Sequence, residues 1–211
     1  VFNLIGENMD NKKQSKKQEV IKNLIVKTTK EIIAEEGLDK VSVRKITNRM
    51  GYSPGSIYHY FSDKDEIINY VFNIGYQEII MVVANELNKE GSPEEILDKA
   101  ISAYIAVVMK NSLEYKEIIS SNNPLIKEKT SLLYQGAAKN NRFIQMIAKN
   151  LEEGISKGVY RDMEVEVTAQ IIWTTAFGLA FKMTREDISE NYRKKLIKAL
   201  KDSIFSILEV K

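Results

Sequence analysis

The sequence predicts an all-α protein, with an N-terminal three-helix domain built around a helix-turn-helix and a C-terminal helical domain behind it. Three observations carry that expectation. Apolar residues recur at spacings of three and four along most of the 211 residues, and a composition of 44% hydrophobic and 28% charged residues suits a globular chain. Only three prolines and ten glycines interrupt it. No convincing strand, internal repeat or low-complexity run is present.

Residues 1 to 8, VFNLIGEN, precede Met9, look unlike the rest and are set aside. The first helix is expected from about Lys16 to Glu36, where Val20, Ile21, Leu24, Ile25, Ile32 and Ile33 share one stripe and Gly37 supplies the stop. Ser42 then caps a helix of about two turns with Val43, Ile46 and Met50 on its apolar side, and Gly51 ends it. Ser53 is the next cap. Pro54 stands at the first helical position, where a missing N–H costs nothing, and the second helix runs to Phe61. Two short helices across a glycine turn make a helix-turn-helix, whose second helix can enter a major groove. Ile57 and Phe61 anchor that helix. Ser53, Gly55, Ser56, Tyr58, His59 and Tyr60 leave small groups and hydrogen-bonding tips outside. On spacing alone, a plain helical hairpin with exposed aromatics stays open.

From Lys64 to Lys89 one long helix, or two meeting near Gly75, carries Ile67, Ile68, Val71, Phe72, Ile79, Ile80 and Val83. Its N-terminal amides and Lys64 are expected to hold a phosphate, and the same rod would carry movement to the DNA. Ser92-Pro93-Glu94-Glu95 opens a new helix as a capping box. Helices follow at about 93–111, 113–121, 125–157, 163–183 and 189–209, with Asn122-Asn123-Pro124 as one separator and a break expected near Asn140-Asn141. The domains are read as 9–64 and 65–211, joined by helix 64–89, with the change of domain along Gly75 to Gly91.

Composition excludes several functions. Cysteine is absent, which removes disulfides, thiolate zinc sites and cysteine nucleophiles. The one histidine, His59, lies in the second short helix, so no Ser-His-Asp set or histidine-rich metal site exists elsewhere, and neither a P-loop nor a GxGxxG motif occurs. Neither catalysis nor a cofactor is expected. No apolar run approaches the ~20 residues of a membrane span, so a cytoplasmic protein without membrane contact is expected. The net charge is +2, but residues 9–64 carry 12 Lys/Arg against 7 Asp/Glu, while 65–211 carry 19 against 21. A basic front half suits phosphate contact. Lys12, Lys13, Lys16 and Lys17 form either a solvated tail or an arm that tracks DNA.

The run Glu36-Gly37-Leu38, Val41-Ser42-Val43-Arg44-Lys45-Ile46, Met50-Gly51-Tyr52-Ser53, Gly55-Ser56-Ile57-Tyr58-His59-Tyr60-Phe61 and Lys64-Asp65-Glu66 resembles the N-terminal signature of the TetR family of transcriptional regulators. The resemblance covers roughly the first third of the chain. It implies a ligand-responsive homodimeric regulator, a repressor in the expected sense, on a roughly palindromic double-stranded operator. A TetR-like adaptor that binds a protein partner, with DNA contact secondary, is the alternative. By the same resemblance, Ser42 and Tyr58 bind phosphate through hydroxyls, Arg44 reaches a phosphate or base edge, and Lys64 holds phosphate after the second helix. Ser53, Pro54, Gly55, Ser56, His59 and Tyr60 line the rest of the surface, with Ser56 and His59 nearest base edges. Pro54 and Gly55 stand where many relatives carry longer polar or basic residues, so specificity would lean on Arg44, on Pro54 against thymine methyls and on DNA shape.

Two further sets lie in the rear domain. Tyr104, Met109, Tyr115, Tyr134, Phe143, Met146, Trp173 and Phe177 are candidates for an apolar effector pocket, though residues of this kind at helical spacing also build plain core. The last two helices carry apolar residues around most of their circumference, either as a partner surface or as intramolecular core. Ile172, Ala176, Gly178, Ala180, Leu200, Ile204, Phe205 and Leu208 are the candidate dimer contacts, since relatives by resemblance pair these helices as a four-helix bundle.

Overall fold

The computed structural model describes the backbone of residues 2–120, 122 and 124–210, and their side chains except at 2–15, 114, 125 and 129. Asn123 and the side chains of Lys12 and Lys13 therefore lie outside the described residues. Eleven α-helices are assigned among those described, with a single isolated bridge between Tyr160 and Glu209 in place of any strand. Two units divide between Asn73 and Ile74.

In the first unit, α1 spans Phe2–Glu36. It begins well before the expected Lys16, taking in residues 2–8, because no proline interrupts the polar stretch ahead of the apolar stripe. Ile25, Val26, Ile32 and Ile33 are buried, and Thr29 satisfies its buried hydroxyl by donating to the Ile25 carbonyl at 2.8 Å. A 3-10 turn at Leu38–Lys40 leads to α2, Val43–Met50, where Ser42 Oγ accepts from the Lys45 amide at 3.2 Å. Gly51 closes α2 in the left-handed region, at φ 71° and ψ 29°, which a side chain would strain. The next helix, α3, is Pro54–Ile57, shorter than the expected run to Phe61. Its turn tightens at once: the Tyr60 and Phe61 amides both donate to the Ile57 carbonyl, at 2.8 and 3.0 Å, so residues 58–60 form a turn.

The next helix, α4, spans Lys64–Leu87 without a break at Gly75. Its early turns belong to the first unit, beyond the boundary read at residue 64, because Ile67, Ile68, Val71 and Phe72 are buried there. An 18-residue window of α4 has mean hydropathy 1.4, long and apolar enough to span a bilayer, which corrects the expectation that no such run exists. Part of that window is packed in protein, with Ile80 and Val83 buried in the second unit, whereas Met81 is 64% exposed.

The second unit contains α5 (Pro93–Lys110), α6 (Ser112–Ile119), α7 (Pro124–Thr130), α8 (Ala137–Asn140), α9 (Arg142–Ser156), α10 (Val165–Arg185) and α11 (Glu190–Leu208). The expected helix 125–157 is three helices. Asn141 Oδ1 caps α9, accepting from the Phe143 and Ile144 amides, and residues 131–136 form a connection pinned to α10. There Glu166 accepts from the Gly136 and Ala138 amides, and Gln170 Nε2 donates to the Leu132 and Tyr134 carbonyls. Helix α10 packs against α5, α9 and α11, and their facing apolar residues form one continuous core. At the far end, Arg161 donates from its amide to Leu208 O and from Nε to Ile207 O, which ties the α9–α10 connection to the end of α11.

Candidate nucleic-acid interface and effector core

The helix-turn-helix is held from beneath and open outside. Ile46, Thr47, Ile57 and Phe61 are buried. Lys22 of α1 places its ammonium 4.1 Å from the Tyr70 ring and 5.2 Å from that of Phe61, and the two rings meet edge-on at 5.4 Å. Two other basic residues are turned inward against α1. Arg49 pairs with Glu35 at 2.7 Å and Glu36 at 2.8 Å, while Lys45 pairs with Glu36 and holds its carboxyl below the usual range. A phosphate would have to displace a carboxylate to reach either.

Ser42, Arg44, Ser53, Pro54, Gly55, Tyr58, His59 and Lys64 are exposed, Tyr58 by 57%, and Ser56 and Tyr60 are half-buried. Arg44 and Lys64 make no ion pair among the described residues, which leaves their charge to an external anion. Ser53 caps α3 without a side-chain bond to its backbone; its hydroxyl meets that of Ser56 at 3.0 Å. The expected phosphate site at the start of α4 needs correction. Asp63 Oδ1 already accepts from the Glu66 amide at 2.8 Å, and Glu66 Oε2 accepts from the amide and hydroxyl of Ser62 at 2.6 and 2.9 Å. The chain supplies its own carboxylates to that helix end, leaving Lys64 to act as a side chain. The signal was present as Asp63 followed three residues later by Glu66.

In the second unit the aromatic candidates divide. Trp173 stacks on Phe143 at 4.3 Å and meets Tyr104 at 4.8 Å, and Tyr76 meets Phe143 edge-on at 5.3 Å. The hydroxyls of Tyr104 and Tyr115 lie 2.9 Å apart. Burial pushes the Tyr115 hydroxyl up to about 12 and that of Tyr104 well above its usual value. Phe177, Met109 and Met146 are half-buried against the same core. Tyr134 is not part of it: 41% exposed on the 131–136 connection, it falls outside the set.

A cavity of about 20 Å³ is lined by Val83, Leu87, Leu97, Ala100, Ile101, Tyr104, Ile147, Ile172, Trp173 and Ala176. Of the eight pocket candidates only Tyr104 and Trp173 reach it. Aliphatic residues complete the wall, and sequence periodicity marks these only as core. Ile172 and Ala176, read as dimer contacts, face this cavity, and Ala180, Leu200, Ile204 and Leu208 are also buried within the single chain. A buried residue cannot meet a partner, so the free apolar surface of α10 and α11 lies elsewhere: Val167, Ile171 and Ile207 are exposed, and Gly178 and Phe205 are half-buried. Beside the cavity, a surface groove of about 440 Å³ runs along Leu87, Asn88, Lys89, Glu90, Gly91, Ile96, Met146, Lys149, Asn150, Glu153 and Lys157.

Residues 25–71 match the family described as "Bacterial regulatory proteins, tetR family". The fatty acid metabolism regulator protein of Bacillus subtilis (strain 168) is 23% identical over 155 residues, covering 72% of this chain and 77% of that protein. The HTH-type transcriptional repressor KstR2 of Rhodococcus jostii (strain RHA1) is 25% identical over 155 residues, covering 69% and 71%. The solved structure of the transcriptional regulator FadR from Bacillus subtilis in complex with stearoyl-CoA superposes with a TM-score of 0.66 at 22% identity, covering 88% of this chain and 96% of that one. The matched segment contains α2, α3 and the start of α4, so the helix-turn-helix is similar to that of the tetR family, and the chain as a whole shares the fold of the solved regulator.

Proposed function

We propose that the protein is a homodimeric repressor that grips a roughly palindromic operator through α2 and α3 and leaves it when an amphipathic small molecule, an acyl thioester by class, enters the second unit. The observation that carries the reading is the exposed surface of the helix-turn-helix, where Arg44 and Lys64 make no ion pair among the described residues and Ser42 and Tyr58 expose hydroxyls, while Lys45 and Arg49 are neutralised on α1. Phosphates are met by the first set, and Ser56, His59 and Pro54 are left for base edges and thymine methyls.

The effector class is supported by the wholly aliphatic and aromatic cavity wall and by relatives named for fatty acid metabolism or seen with stearoyl-CoA. The cavity holds about one water, so an acyl chain requires an opened state. Binding then shifts the population toward that state, and DNA is released to the extent that the opened state binds it less well. Helix α4 supplies Val83 and Leu87 to the cavity and Lys64 to the DNA side, so a chain that displaces those wall residues acts on a helix of the reading head. Dimerisation is assigned to the exposed strip of Val167 and Ile171 with Ile207, flanked by Gly178 and Phe205.

The test is fluorescence anisotropy with the DNA flanking the protein's own gene beside a scrambled duplex, at two salt concentrations, with and without stearoyl-CoA. Salt-sensitive binding preferring the native fragment by ~10³ or more, reversed by the thioester, is the expected result. Equal, weak binding to both duplexes would turn the reading toward a protein partner.

A further inference from the structure

The groove beside the cavity has a chemistry of its own. Leu87 lines both, and the groove residues Ile96 and Met146 precede the cavity residues Leu97 and Ile147 on α5 and α9, so the polar surface channel and the apolar interior share the Leu87 side chain. Three ammonium groups face the channel. Lys89 pairs with Glu86 at 2.7 Å and Lys157 with Glu153 at 2.6 Å, whereas Lys149 makes no ion pair among the described residues. Asn150, only 6% exposed, donates from Nδ2 to the Pro93 carbonyl at 3.1 Å, which fixes its amide; its Oδ1 is buried with no hydrogen-bond partner. A buried acceptor left unpaired is costly, and a donor brought by a ligand removes that cost.

We propose that this groove is the head-group subsite of the effector, taking a phosphate-bearing head attached to an acyl chain. The inference rests on the reading that an amphipathic molecule enters the second unit. Phosphate oxygens accept from Lys149 and draw Lys89 and Lys157 from their single-carboxylate partners. An N–H or O–H of the head donates to Asn150 Oδ1, and the chain passes Leu87 into the cavity against Tyr104 and Trp173. Glu90 and Glu153 also line the groove, so its net charge is small and a neutral or cationic head would gain nothing from Lys149. A phosphate, with up to two charges and three terminal oxygens, can engage several of the three ammonium groups at once where the single carboxylate of a free acid engages one, and the site thus separates a phosphorylated acyl compound from the free acid with the same chain.

The experiment is calorimetric titration of the full chain with stearoyl-CoA, 1-stearoyl-lysophosphatidate and stearate, for wild type, Lys149→Gln and the triple variant Lys89→Gln, Lys149→Gln, Lys157→Gln. Trp173, the only tryptophan of the chain, reports cavity occupancy by its fluorescence in the same samples. We expect the triple variant to weaken the phosphorylated ligands about tenfold, with stearate within about twofold of wild type. Equal losses for the two phosphorylated ligands mean that phosphate alone is read, and a loss confined to stearoyl-CoA adds recognition of the larger head; both support the subsite. Equal losses for all three ligands, or none, would overturn it. Wild type that binds stearate but neither phosphorylated ligand refutes the subsite and leaves an acyl effector standing. Wild type that binds none of the three removes the effector class and the subsite together.

Discussion

Gly154→Ala tests how α9 is held in place, and with it the helix that presents Lys149, Asn150, Glu153 and Lys157. A methyl group at Gly154 would lie 2.0, 2.4 and 2.8 Å from Cδ2, Cε2 and Cγ of Tyr160, where ordinary contact begins near 3.4 Å. The ring would have to retreat by roughly 1.5 Å, yet it is buried and its backbone is held on both sides. The Val159 and Tyr160 amides donate to the Gly154 carbonyl at 2.9 and 3.1 Å, and the Tyr160–Glu209 bridge joins it to the chain after α11. Overpacking of this kind costs about 1–3 kcal/mol, occasionally more. Against it stands the ~1 kcal/mol by which alanine exceeds glycine in a helix interior. A 2.0 Å approach to a buried ring belongs at the upper end of that range, about 2–3 kcal/mol, so the net expectation is destabilisation by about 1–2 kcal/mol, a fall in Tm of roughly 2–8 °C for a chain of this size, measured by circular dichroism at one fixed protein concentration. In a Tyr160→Ala background the same substitution should stabilise, because only the helix term remains, giving a coupling of about 2 kcal/mol. An unchanged or raised Tm for Gly154→Ala alone would refute the reasoning.

Three further outcomes are expected. Tyr58→Phe should weaken operator binding about three- to tenfold with Tm unchanged, since its exposed hydroxyl makes no bond within the described chain; anisotropy that does not move removes Tyr58 from the interface. The double variant Ile171→Glu, Ile207→Glu, at positions 52% and 45% exposed, should sediment as a folded monomer, whereas Ile204→Glu should unfold the chain; a persistent dimer in the first case would place the interface elsewhere. Glu166 accepts from the Ala138 and Gly136 amides, which hold its carboxyl below the ordinary 4.5, so its contribution to stability is fully present above that value and lost as pH falls through the lowered one. The Tm gap between wild type and Glu166→Gln, constant around neutrality, should therefore narrow as the pH falls below 4.5, and a gap independent of pH would contradict the assignment.

Local physics made the helix-turn-helix readable without coordinates. Ser42, Gly51 and Pro54 act through their own backbone and the next few residues, so the cap, the left-handed stop and the helix start at α2 and α3 follow from residue type and spacing. The same holds for Ser92, whose cap opens α5; at Asn140-Asn141 the sequence marks a break, and the Asn141 cap of α9 comes only with the structure. Distant contacts decided the rest. Nothing in the sequence sends Lys45 and Arg49 to Glu35 and Glu36 while Arg44 stays outside, because that choice depends on where α1 lies against α2. The apolar residues of α10 and α11 show the limit most plainly: periodicity marks Ile171, Ile172 and Ala176 alike as hydrophobic. Only the packing of α10 on α5 and α9 turns Ile172 and Ala176 into cavity wall and leaves Ile171 outside, since burial belongs to the assembled helices and to no residue alone.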